Sequence, residues 1–111
     1  MSKIYWNDGL LACTERTMTL NGEEVPTSSM ERKLLLFFLE HPNVALSREL
    51  LLQKVWGYEM AGVTRTVDTH VKTLRAHLGK MGRLIVTVRG VGYRFDTRQS
   101  ETAVCLCKAA S

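Results

Sequence analysis

The chain has no long apolar run. Its longest, Leu34 to Leu39, covers six of the 111 residues, where a membrane-crossing helix needs about twenty. A transmembrane helix is excluded on that ground. Met1-Ser2-Lys3-Ile4-Tyr5-Trp6-Asn7-Asp8 lacks the apolar stretch of a secretory signal, so the expected location is the cytoplasm. Cysteine is sparse. Cys13, Cys105 and Cys107 make an odd number, which is no disulfide framework outside a secreted protein. No His or acid flanks Cys105 and Cys107 at a ligand spacing, so they read as reduced thiols. His70 and His77 lie seven apart, and further metal ligands are missing. No nucleophile–base pair appears, which speaks against an enzyme. Gly90-Val91-Gly92 lacks the third glycine and the following helix of a nucleotide-binding loop. No cofactor, metal or small-molecule substrate is expected. Internal repeats and low-complexity linkers are absent too.

What the sequence does have is ordinary globular composition, 45% hydrophobic and 23% charged. The length suits one domain able to bury a real core. The formal charge of +4 is unevenly spread. From Ala61 to Gln99, eight basic residues face two acids, for +6, while the remainder carries −2. A basic C-terminal half points to a polyanionic partner. A solvated helix face without a partner is the plainer alternative.

Local pattern divides the chain into elements. Residues 3–27 read as short antiparallel strands, with Asn21-Gly22 as a hairpin signal. At Ser28 the period changes. Ser28-Ser29-Met30-Glu31 fits a capping box, and Met30, Leu34, Phe37 and Phe38 follow at helical spacing, giving a helix over 28–41 that Pro42 stops. Ser47 caps a second helix, 47–56, that Gly57 ends. A third spans 64–78, with Val67, Val71, Leu74 and Leu78 as its apolar stripe. A β-hairpin over 84–95 turns at Arg89-Gly90-Val91-Gly92. Residues 1–98 form the domain, and 99–111 read as a flexible tail.

The third helix carries the functional signal. Opposite its apolar stripe fall Arg65, Thr69, Lys72, Thr73 and Ala76, with Arg75 on the flank. This face is slim, basic and free of acid at its centre, so it suits the major groove of DNA. Helix, short helix, loop, basic helix and hairpin in that order make an α+β winged helix-turn-helix. Arg89 at the hairpin tip would enter a minor groove. Trp56 and Tyr93 also read as core aromatics, and Asp68 as a residue that orients a neighbouring Arg or caps the first turn.

Specific residues then point to a family. Arg65-Thr66-Val67-Asp68-Thr69-His70-Val71, Leu74-Arg75 and Thr87-Val88-Arg89-Gly90-Val91-Gly92-Tyr93-Arg94-Phe95 resemble the OmpR/PhoB family of response-regulator effector domains. Ser28-x-x-Glu31 with Leu34-Leu35, Ser47-Arg48-Glu49-x-Leu51-Leu52 and Val55-Trp56-Gly57 extend the resemblance over about residues 3–96. It implies a transcription factor that binds double-stranded DNA, with an N-terminal four-stranded antiparallel sheet, a three-helix core and a C-terminal wing. Members usually bind direct repeats as head-to-tail pairs. By this resemblance Arg65, Thr66, Thr69, His70, Lys72, Thr73 and Arg75 lie on the recognition helix. Arg75 would contact a base edge or a phosphate, and Arg65 and Lys72 mostly phosphate. Trp56 and Thr87 would donate to phosphate, and Arg89 would enter the minor groove. Gly57, Tyr58, Glu59, Met60, Ala61 and Gly62 match the loop that contacts RNA polymerase.

Three departures stand out. Thr73 replaces a base-reading Arg of some members, no receiver domain precedes residue 1, and the cysteine-bearing tail lies outside the pattern. An excised effector domain, or a regulator controlled otherwise than by phosphorylation, would account for the second. A protein-interaction module on a winged-helix scaffold is the alternative function. Such a module is expected to show acids or apolar residues where the basic face lies.

Overall fold

The computed structural model describes residues 2–6, 9–57, 64–97 and 104–107. The N-terminal strands are β1 (Ser2–Trp6), β2 (Gly9–Cys13), β3 (Met18–Leu20) and β4 (Glu23–Glu24). Asn21 and Gly22 turn the β3–β4 hairpin with φ of 56° and 86°, the paired positive values a two-residue type I′ turn requires. Leu11, Cys13 and Met18 point from this sheet into the core.

The expected four-stranded sheet has a fifth member. Strand β8 (Val104–Cys107) pairs antiparallel with β1, so the order is β4-β3-β2-β1-β8. The tail is therefore not uniformly irregular. An edge strand presents unpaired backbone groups, and Val-Cys-Leu-Cys is apolar enough to pair there despite its lack of clear alternation.

Helix α1 (Ser29–Glu40) starts with the full capping box. The Glu31 amide donates to Ser28 Oγ at 3.1 Å, and the Ser28 amide to Glu31 Oε2 at 3.0 Å. Leu34, Leu35, Phe38 and Leu39 are fully buried on its core face. Its C-cap is His41, as Pro42 dictates.

A two-residue strand, β5 (Leu46–Ser47), follows. Its brevity hides it from any periodicity reading. Ser47 then caps α2 (Arg48–Leu51), accepting from the Leu50 amide at 3.0 Å. Where one regular helix was expected to Trp56, residues Leu52–Trp56 form a π-helical turn. It closes on Gly57, whose φ is 81° and whose amide bonds to Leu52 and Gln53 carbonyls. Helix α3 (Arg65–Leu78) buries Val67, Val71, Leu74 and Leu78. A 3₁₀ segment, Gly79–Leu84, leads into β6 (Ile85–Val88) and β7 (Gly92–Phe95).

These two strands form the wing, and β5 pairs with β7 in the order β5-β7-β6. Gly92 is required there by close approach: a Cβ would lie 2.2 Å from the Leu46 carbonyl oxygen. The base of the wing is thus clamped to the start of α2. Among the described residues, no helix is long and apolar enough to cross a membrane.

Candidate nucleic-acid interface

The face of α3 opposite its buried stripe is exposed at Arg65, Thr69, Lys72, Thr73 and Ala76, as helical projection requires. The Thr69 and Thr73 hydroxyls each donate at 3.1 Å to the carbonyl four residues back, of Arg65 and Thr69. With its proton so engaged, each oxygen faces outward as an acceptor. His70 bonds through Nδ1 to the Thr66 carbonyl at 2.9 Å. A carbonyl only accepts, so Nδ1 carries hydrogen and Nε2 of the neutral ring is an acceptor. The Trp56 ring meets His70 edge-on, with centroids 5.0 Å apart. Trp56 is half-buried. The π-helical turn that precedes Gly57 places it against α3.

Arg75 is differently engaged. Its Nε and Nη2 both donate to the Ile85 carbonyl, at 3.0 and 2.6 Å, and Nη2 also donates to Thr87 Oγ1 at 2.9 Å. The residue expected from sequence to contact a base edge or a phosphate thus also bridges α3 to β6 within the domain. Projection of one helix cannot register a bond to a strand ten residues on. Thr87 is exposed, and its hydroxyl keeps its own proton to donate. Arg89 is exposed in the wing turn beside Gly90, whose φ is 79°.

Asp68, the lone acid of α3, accepts from Arg48 Nε at 2.7 Å and from the Tyr93 hydroxyl. Burial pushes its carboxyl up. The Tyr93 and Arg48 hydrogen bonds and the Arg48 and Arg65 charges outweigh that and hold it below the usual carboxylate range. Burial first, and then the bond to Asp68, raise the Tyr93 phenol. Asp68 is therefore an ionised, paired acid that orients an Arg. Tyr93 is 5% exposed, the core position expected of it. Arg48 escaped the sequence reading, since no local period links it to a residue twenty positions away.

His77 is tied elsewhere. Its Nδ1 meets Glu31 Oε1 at 2.6 Å, joining α3 to the start of α1. Of the suggested polymerase-contacting loop, Gly57 is described; Tyr58, Glu59, Met60, Ala61 and Gly62 lie outside the described residues. Among the described residues, no group of His, Cys, Asp and Glu could hold a metal ion.

Known proteins bear on this geometry. Residues 22–95 match the family model described as transcriptional regulatory protein, C terminal. The chain is 47% identical over 83 residues to the transcriptional regulatory protein ResD of Bacillus subtilis, covering 71% of this chain and 35% of ResD. The chain spans about a third of the length of the curated relatives it matches. Among solved structures it is similar to the DNA-binding domain of Bacillus subtilis CssR, with a TM-score of 0.67 and 36% identity over 76% of this chain and 97% of that one. The DNA-binding domain of Klebsiella pneumoniae RstA, solved in complex with the RstA box, gives a TM-score of 0.69 and 28% identity over 85% and 96%.

Proposed function

The chain belongs to the family of transcriptional regulatory protein C-terminal domains, the OmpR/PhoB-type winged-helix effectors, and from that premise we propose that it binds double-stranded DNA sequence-specifically to regulate transcription. Helix α3 enters the major groove, and Arg89 of the wing enters the adjacent minor groove. One observation carries the reading: the exposed face of α3 presents Arg65, Thr69, Lys72 and Thr73, while its one acid is turned to Arg48 and Tyr93.

Roles follow from the hydrogen-bonding state of each group. Arg65 and Lys72 contact phosphate as cations, and the Trp56 indole N–H and Thr87 hydroxyl donate to phosphate. His70 Nε2 and the Thr69 and Thr73 oxygens are acceptors, suited to the exocyclic amino groups of adenine or cytosine. Thr66 supports this by fixing the His70 ring. Arg89 responds to groove width. The domain works in the cytoplasm on direct-repeat sites as head-to-tail pairs, and residues 57–62 contact RNA polymerase, as the family resemblance implies.

Selection from a randomised duplex pool tests the assignment. His70→Ala and Thr73→Ala are expected to relax the preferred base at one position each, at about 1–3 kcal/mol per lost contact. Lys72→Ala is expected to weaken all sequences alike. Recovery of no enriched sequence by the wild type, or a changed base preference in Lys72→Ala, would overturn these roles.

A further inference from the structure

Four side chains outside the exposed set form a continuous path between α3 and the wing. Tyr93 of β7 donates its hydroxyl to Asp68 of α3, and Arg48 of α2 donates to the same oxygen. Seven residues further along α3, Arg75 grips the Ile85 carbonyl and Thr87 hydroxyl of β6. The Arg48 and Arg75 guanidinium carbons lie 5.7 and 5.5 Å from the Tyr93 ring centroid, within cation–π range. The wing is thus fastened to α3 at two points, about 10 Å apart along the helix axis. The β5–β7 pairing and the buried Ile85 and Phe95 seat the base of the wing; the two fastenings add direct bonds between the wing and α3.

We propose that Tyr93 and Arg75 are positioning residues that hold the wing at a set angle to α3, so that the major-groove and minor-groove contacts form together. The proposal rests on the DNA-binding reading above. Its physical content is preorganisation: the relative placement of the two contact elements is settled in the free domain and need not be ordered on binding. Positioning residues reach DNA only through the element they hold, so their effect must shrink when Arg89, the main contact of that element, is removed.

The test is a set of double-mutant cycles on a random-sequence DNA duplex, read by fluorescence anisotropy. Tyr93→Phe keeps the ring and removes the hydroxyl. Arg75→Lys keeps the charge and removes the planar fork. Each variant is measured alone and combined with Arg89→Ala. Alone, each is expected to weaken binding roughly fivefold, within the range of coupled residues. Combined with Arg89→Ala, each is expected to add less than a twofold loss beyond Arg89→Ala itself.

Losses that multiply, or no loss in Tyr93→Phe, would overturn the proposal. A base preference altered at one position when Arg75→Lys is put through selection from a randomised duplex pool would overturn it too, by making Arg75 a direct reader. If Arg75→Lys does not fold, Tyr93→Phe carries the same comparison. Failure of the wild type to bind would sink the DNA reading itself, whereas binding with multiplicative losses would sink only the positioning role.

Discussion

Cys13 is fully buried on β2, and that burial pushes its thiol up to about 12. The thiolate is the reactive species, so iodoacetamide should leave Cys13 unmodified in the folded chain and label it after denaturation, as peptide mass mapping will show. Glu31 gives a pH prediction. Burial raises its carboxyl, but hydrogen bonds from the Ser28 amide and His77, with the His77 charge, outweigh that and lower it. A carboxyl whose folded pKa lies below its unfolded value stabilises fully above the unfolded value, and that contribution is lost as pH falls through the folded one. Stability should therefore hold down to the ordinary carboxylate range, about pH 4, and then fall. Glu31→Gln should flatten that acid limb in denaturant titrations. The exposed residues of α3 were legible from the sequence because exposure follows helical period. The engagement of Arg75 was not, since its partners lie on β6 and only the folded chain brings them within reach.

At the scale of elements, caps and turns do most of the local specification. Ser28, Ser47, Asn21-Gly22 and Gly57 each stand where their chemistry requires, and their short range made them readable. Elements that depend on partners far along the chain were not readable. Strand β8 exists through the β1 edge, β5 through β7, and the π-helical turn through the packing of Trp56 on α3. Gly92 sits at one such meeting, where an added Cβ would overlap the Leu46 carbonyl. Gly92→Ala should destabilise the domain by about 1–3 kcal/mol, the usual cost of overpacking. It should also weaken DNA binding beyond that of a surface variant of equal stability. Urea denaturation paired with anisotropy will separate the two effects.

Across the whole molecule, the charge asymmetry and the fold converge. The +6 carried by residues 61–99 falls on α3, the wing and the segments beside them, and the paired Asp68 leaves that field unopposed at the centre of the helix face. The same asymmetry was visible in composition, but which cations stay available was not. That depended on partners brought together by the fold: Arg48 pairs with Asp68, Arg75 bonds the Ile85 carbonyl, and Arg94 pairs with Asp96. Arg65, Lys72 and Arg89, exposed on α3 and the wing turn, are the three cations proposed above to meet phosphate and groove. Three such contacts predict a slope of about −3 in log K against log salt. The most direct measurement of the central claim is therefore a titration with random-sequence duplex DNA at two salt concentrations, wild type beside Arg89→Ala. The account predicts micromolar-range binding that weakens steeply with salt, and a weaker, shallower salt dependence in Arg89→Ala. Absence of binding at low salt, or affinity indifferent to salt and to Arg89, would contradict it.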